Sequence, residues 1–108
     1  MLTLNEFKNA RSVLSGVISK TSLVYSPAFS KATGNNVYIK PENMQITGAY
    51  KIRGAYYKIS TLTEEEKSRG LITASAGNHA QGVAYAAQAA GVSATIVMPT
   101  TTPLVKVN

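Results

Sequence analysis

The chain has 108 residues, enough for one small domain with a modest core, and 44% of them are hydrophobic. The net charge of +6 comes from eleven Lys and Arg against five Glu, and the basic residues are spread from Lys8 to Lys106. Nucleic-acid-binding proteins instead concentrate positive charge on one face or helix, and a membrane helix needs an apolar run of ~18 residues, which is absent. We therefore expect neither a nucleic acid nor a membrane as a partner.

The first half of the chain predicts two helices and one short strand. Hydrophobic residues at helical spacing predict an opening helix over residues 4–18. The β-rich triplet at residues 37–39 follows a Gly-Asn-Asn turn sequence and is stopped by a proline, so a short strand is expected there. A second helix is expected over residues 50–60, with Lys51 in its first turn.

The second half predicts one short helix and a strand–helix–strand unit. Thr63 followed three residues later by Glu66 is a capping box, which marks a helix start. Strands are then expected over residues 71–74 and 94–98, with a helix over residues 78–90 between them. Strand, helix and strand within about 30 residues form a βαβ unit, in which the two strands are parallel.

Lys51 is a candidate nucleophile. A free lysine is protonated at neutral pH, so it acts in catalysis as the neutral amine or as a Schiff base. Gly48 and Gly54 flank it and would let a backbone or a ligand approach closely. The alternative is a solvated surface lysine, as most of the eight lysines must be, and spacing alone leaves both possibilities open.

Residues 75–78, Ser-Ala-Gly-Asn, lead from a predicted strand into a predicted helix. A turn of small residues at a helix start leaves backbone N–H groups free and suits an anion such as a carboxylate. Asn78 either caps the helix or donates its side-chain amide to a ligand oxygen. His79, the only histidine, is a candidate general base, but it could equally pack or bond to the backbone.

Several other kinds of site are excluded by the sequence. It has no G-x-G-x-x-G, no P-loop, no His-rich metal motif and no cysteine, so we expect no metal site. The lack of cysteine fits a reducing compartment, and we expect a cytoplasmic location.

Three segments in this order resemble the threonine dehydratase (threonine ammonia-lyase) family of pyridoxal-phosphate enzymes. They are residues 42–55 (ENMQITGAYKIRGA), residues 75–84 (SAGNHAQGVA), and residues 96–99 (IVMP) with Thr102-Pro103 and Lys106-Val107. The resemblance implies deamination of L-threonine to 2-oxobutanoate and ammonia, and of serine to pyruvate. It also implies pyridoxal 5'-phosphate as cofactor, a small amino acid as substrate, and a homo-oligomer at full length.

The resemblance also implies the roles of individual residues. Lys51 would carry the cofactor as a Schiff base, Asn78 would contact the oxygen on the cofactor ring, and Tyr50, usually a Phe, would lie beside the ring. The substrate carboxylate would be held by the loop of Ser75, Ala76, Gly77, Asn78 and His79. Ala76 is a departure from the racemases of the family, which use a serine there for proton transfer. The match therefore favours elimination over racemisation, with serine racemase or another β-eliminating member of the family as the alternative.

The implied fold class is α/β: the three-layer parallel-sheet fold of the tryptophan synthase β type, present only in part. Residues 1–48 would be the N-terminal part of the large cofactor domain, and residues 49–108 the first part of the small domain. The family's phosphate-binding loop and the residue facing the pyridine nitrogen would lie beyond Asn108. We therefore expect an N-terminal piece that is inactive in isolation. A hypothesis of another class is a non-catalytic folding or interaction fragment.

Overall fold

The computed structural model describes residues 1–106, which form five α-helices and four short strands. In chain order they are α1 (Leu4–Leu14), β1 (Val24–Tyr25), α2 (Pro27–Thr33), β2 (Tyr38–Ile39), α3 (Lys51–Ser60), α4 (Glu64–Ser68), β3 (Leu71–Ala74), α5 (Asn78–Ala89) and β4 (Ala94–Val97). Two single 3₁₀ turns span Glu42–Met44 and Leu104–Lys106.

Helices α3 and α5 pack against each other and contain most of the buried side chains. The contact face of α3 follows from its spacing, because Ile52, Ala55 and Ile59 recur every three or four residues and share one side of the helix. The facing residues of α5 are small and are Ala80, Gly82, Val83, Ala86 and Ala87. This difference in size lets the two helix backbones approach closely.

The two helices approach each other closely at Gly82. A Cβ atom placed there would lie 3.1 Å from the backbone nitrogen of Ile52 and 3.2 Å from the carbonyl carbon of Lys51. Both distances are shorter than the ~3.5–4.0 Å of an ordinary contact between heavy atoms. The first turn of α3 therefore rests directly on the backbone of α5, and Ile52 is fully buried beneath it.

The βαβ unit predicted from the sequence is present. Strands β3 and β4 are parallel, in a register that runs from Leu71 opposite Ala94 to Ala74 opposite Val97. Helix α5 connects them and contacts both strands. The predicted helix and strand bounds agree with the structure to within one residue at each end.

One face of this two-stranded sheet is exposed. Ile72 and Val97 on that face are 77% and 53% accessible to solvent. The radius of gyration is 16.7 Å, against about 13 Å for a compact domain of this length. Parallel sheets are normally covered on both faces, so these residues leave an apolar surface that nothing in residues 1–106 covers.

The N-terminal region contains two elements that the sequence analysis did not predict, β1 and α2. Ser26 caps α2, whose first residue is a proline, and β1 pairs with β2 in antiparallel orientation. The rings of Tyr25 and Tyr38 meet edge to face across this pair, with centroids 5.5 Å apart.

The predicted opening helix over residues 4–18 is too long. It ends at Leu14 because Ser15 is extended and Gly16 has a φ of +81°, a left-handed conformation that favours glycine. The predicted capping box is confirmed, since Thr63 and Glu66 bond reciprocally to each other's backbone N–H groups. A second box, of Thr3 and Glu6, starts α1 and was not predicted.

Replacing Gly82 by alanine tests the close helix contact. The added methyl group must push the α3 backbone away, which costs more than the ~1 kcal/mol that alanine gains over glycine in a helix. We expect Gly82→Ala to lower the free energy of unfolding by about 1 kcal/mol in urea titrations at low protein concentration.

Gly54→Ala is the matched control, because a Cβ at Gly54, also inside a helix, meets no atom within 4 Å. That variant should be stabilised by about 0.5–1 kcal/mol. Equal effects of the two substitutions would contradict the close contact.

The exposed sheet face predicts that the 108-residue chain on its own self-associates. Light scattering should show oligomers that grow with protein concentration. Replacing Ile72 and Val97 by threonine keeps strand propensity while removing apolar surface, so this double variant should associate less. A monodisperse wild-type monomer would show instead that the chain is an autonomous module.

Candidate active site

Lys51 is the first residue of α3 and is exposed. The N-cap residue, Tyr50, makes no side-chain capping bond, and its ring centroid lies 5.5 Å from the Lys51 Nζ, within cation–π range. The chain enters the helix through a turn at Gly48, whose φ is +67° and whose N–H donates to the Gln45 carbonyl over 2.7 Å. A side chain at position 48 would strain this turn, so Gly48 fixes where the helix begins.

The loop over residues 75–78 is partly committed to internal bonds. The Ser75 N–H donates to the Val97 carbonyl over 3.0 Å, and the Gly77 N–H donates to the Ser75 hydroxyl over 3.3 Å. The expectation that all these N–H groups are free is therefore wrong. The alternative in which Asn78 caps α5 is also wrong, because Gly77 occupies the N-cap and Asn78 is the first helical residue.

The structure brings the loop and Lys51 to neighbouring turns. Asn78 and Gly82 are four residues apart in α5, so they lie on one side of the helix, about 6 Å apart along its axis. Gly82 contacts the backbone of Lys51, and both Lys51 and Asn78 are exposed. The backbone of Lys51 therefore lies about one helical turn of α5 away from the loop.

His79 faces a different part of the molecule. It lines an apolar groove between α3, α5 and β3, which Lys51 does not line. Other residues that line this groove are Lys58, Ile59, Leu62, Thr73 and Val83. This placement gives no support to His79 as the group that transfers a proton beside Lys51.

Gln81 was not singled out from the sequence. Its Oε1 atom is buried and accepts no hydrogen bond within residues 1–106. A buried acceptor is costly without a donor, so this atom is suited to a donor from outside the described residues.

A polar cluster beside α3 was also missed by sequence reasoning. Arg53 donates from Nε and Nη2 to the two carboxylate oxygens of Glu42, over 2.9 and 2.7 Å. The Thr21 hydroxyl donates to the same carboxylate over 2.6 Å. The hydrogen bonds from Arg53 hold the pKa of Glu42 at about 2, well below its ordinary value of 4.5, although burial opposes this shift. No local pattern predicts this pairing, which depends on the tertiary fold.

The segment that carries Thr21 is fixed by side chains from residues 40–45. The buried Gln45 amide accepts from the Ser19 N–H over 2.7 Å and donates to the Ser19 carbonyl over 2.8 Å. Lys40 Nζ donates to the carbonyls of Lys20 and Thr21 over 2.9 and 2.8 Å. Thr21 has a φ of +45°, which costs a β-branched residue about 1–3 kcal/mol. These bonds hold it there.

Within residues 1–106, no group of three or more His, Cys, Asp or Glu side chains could hold a metal ion. In the same part of the chain, no helix is long and apolar enough to cross a membrane.

The depressed pKa of Glu42 predicts a pH dependence of stability. Because the pKa is lower in the folded state, the pair stabilises the protein above pH 4.5, and this contribution is lost as the pH falls towards about 2. Urea unfolding should show wild type more stable than Glu42→Gln by about 1–2 kcal/mol near neutral pH, allowing for solvent screening of the pair. The difference should shrink across that acidic range, and a pH-independent difference would contradict the assignment.

The chain is similar in sequence and structure to enzymes that are named for their action on threonine or serine. L-threonine ammonia-lyase of Thermotoga maritima is 55% identical over 108 residues, covering 100% of this chain and 27% of the relative. Serine racemase of Dictyostelium discoideum is structurally similar with a TM-score of 0.90 and 38% identity, covering 99% of this chain and 35% of that protein. Processed threonine deaminase isoform 2 of Solanum lycopersicum gives a TM-score of 0.79 and 44% identity, covering 98% and 31%.

These solved structures confirm the predicted fold class, and this chain forms a part of that fold. The chain spans about a quarter to a third of the length of the proteins it matches. Residues 14–108 match the family described as pyridoxal-phosphate dependent enzyme, which confirms the cofactor that the sequence resemblance implies. The chain belongs to the pyridoxal-phosphate dependent enzyme family.

Proposed function

We propose that this chain is part of a threonine dehydratase (threonine ammonia-lyase), which converts L-threonine to 2-oxobutanoate and ammonia and serine to pyruvate. The observation that carries the proposal is the position of Lys51. Lys51 is the first residue of α3 and is exposed, so its amine is accessible. Its backbone lies against Gly82, which is one helical turn of α5 away from the loop. The 55% identity to a threonine ammonia-lyase supports the choice of substrate.

The side chains at this site fit pyridoxal phosphate. An exposed primary amine can bond to the aldehyde carbon of the cofactor, and the Tyr50 ring beside it offers a flat apolar surface for a pyridine ring. Asn78, exposed at the start of α5, offers an amide to a ring oxygen. When bound, the cofactor supplies an electron sink for negative charge at the substrate α-carbon.

Lys51 has two roles in this proposal. Its amine would hold the cofactor, and the same nitrogen in its neutral form would take the proton from the substrate α-carbon. Lys51 is exposed at this end of α3 within residues 1–106. Loss of the β-hydroxyl followed by hydrolysis then gives the oxoacid and ammonia.

The loop of Ser75, Ala76, Gly77, Asn78 and His79 binds the substrate carboxylate in this proposal. Since the N–H groups of Ser75 and Gly77 already have internal partners, Ala76 is the loop residue whose N–H would donate to the carboxylate. The positive end of the α5 dipole adds to the attraction for an anion.

Ala76 favours elimination over racemisation. A racemase needs a proton donor on each face of the α-carbon, and an exposed alanine beside the site has no proton to give. Serine racemase remains the second candidate, because a serine racemase is among the proteins with the same fold.

The proposal extends to the whole protein. Residues 1–48 would belong to the large cofactor domain and residues 49–108 to the small domain, with the phosphate-binding residues elsewhere in the complete enzyme. We place that enzyme in the cytoplasm as a homo-oligomer that acts on a small amino acid. The 108-residue chain alone would be inactive.

Replacing Lys51 tests the function in a complete enzyme that carries this chain. Lys51→Ala should abolish covalent attachment of pyridoxal phosphate, detected by hydride reduction and mass spectrometry of the labelled peptide, and should lower threonine turnover by at least about 10³-fold. Lys58→Ala, an exposed lysine on the same helix, is the matched control and should leave both unchanged.

The products separate the two candidate activities. Release of 2-oxobutanoate from L-threonine, with little D-serine formed from L-serine, is the expected result. Racemisation faster than oxoacid release would favour the racemase, and attachment at another lysine would contradict the assignment of Lys51.

A further inference from the structure

We propose that Thr21, Glu42 and Arg53, here called the Arg53 clamp, form a positioning device that fixes the direction of the Lys51 side chain. The inference rests on the proposed function, because it assigns to these three residues the alignment of the reactive amine. None of them is proposed to touch the substrate.

The first turn of α3 needs support from outside the helix. Its N-cap residue, Tyr50, makes no side-chain capping bond. Ile52 is buried against α5, and Gly82 lies against the backbone of α3. These contacts set the distance between the helices and are non-directional.

The Arg53 clamp fixes the orientation of the first turn of α3. Successive helical residues are rotated by about 100°, so Lys51 and Arg53 point to opposite sides of the buried Ile52. Arg53 grips both oxygens of Glu42, and this bidentate geometry allows one orientation of the guanidinium plane. With Ile52 held on one side and Arg53 on another, the remaining side of the turn presents Lys51 to the loop at residues 75–78.

The clamp is anchored to a part of the chain that is itself immobilised. Glu42 also accepts the Thr21 hydroxyl hydrogen bond, and Arg53 Nη2 reaches the same hydroxyl oxygen over 3.1 Å. The strained backbone of Thr21 is held by Lys40, and the adjoining Ser19 by the buried Gln45. Strained residues persist where the surrounding contacts over-determine them, often near functional sites. Glu42 and Arg53 are only 20% and 29% exposed, so solvent competes little for their bonds.

Covalent attachment of the cofactor reports on the direction of Lys51. In that step the Lys51 nitrogen adds to the aldehyde carbon of pyridoxal phosphate and one water molecule leaves. The rate constant at saturating cofactor depends on how often the amine points at the aldehyde. Affinity for pyridoxine 5'-phosphate, an alcohol that cannot attach, depends on the rest of the binding site and not on this alignment.

The experiment uses the complete enzyme freed of cofactor. Glu42→Gln should slow attachment about 10- to 100-fold, while the dissociation constant for pyridoxine 5'-phosphate stays unchanged. Thr21→Val keeps the shape of the side chain and removes only its hydroxyl bonds, so it should fold and give a smaller decrease in the same rate. Turnover should fall through kcat rather than KM.

Glu64→Gln is the control for loss of an ion pair. It removes the 2.7 Å contact with Lys67 on α4 and should leave attachment at the wild-type rate. Wild-type attachment rates in both Glu42→Gln and Thr21→Val would overturn the inference. So would a parallel loss of affinity for pyridoxine 5'-phosphate, which would show a merely structural role. Failure of the wild-type enzyme to attach cofactor at Lys51 would instead overturn the proposed function, and this inference with it.

Discussion

The arrangement of the site depends on one contact, the one between Gly82 of α5 and the backbone of Lys51 and Ile52 at the start of α3. The βαβ unit by itself places only the loop before α5. Lys51 lies 20 positions before Leu71, where that unit starts, and the start of α3 can approach α5 because Gly82 has no side chain at this point. The run of alanines in α5 extends the same close packing along the rest of the helix pair.

Apolar packing and directional bonding divide the work at the start of α3. Burial of Ile52 provides cohesion but is non-directional. The pairing of Arg53 with Glu42 is directional and ties the helix to residues that lie far away in sequence. Two contacts of different physical character therefore act within three consecutive residues of the chain, and each compensates for what the other lacks.

Local signals allowed much of the second half of the fold to be predicted. The Thr63 capping box and the elements of the βαβ unit each depend on residues that are close together in the sequence. The two-residue strand β1 is too short to show a periodicity. The pairing of Arg53 with Glu42 exists only after the chain has folded back. At the site, spacing could not distinguish Lys51 from the other lysines, whereas the family resemblance proposes a role for it because it compares ordered motifs rather than single residues.

The backbone of Thr21 has a consequence for the order in which the chain acquires its shape. Proteins are synthesised from the N-terminus, and the side chains that hold Thr21 belong to Lys40, Glu42 and Arg53, all of which are made later. Until they arrive, a threonine prefers the common extended or helical conformations. The segment around Thr21 therefore reaches its final conformation only after residues 40–53 have been synthesised.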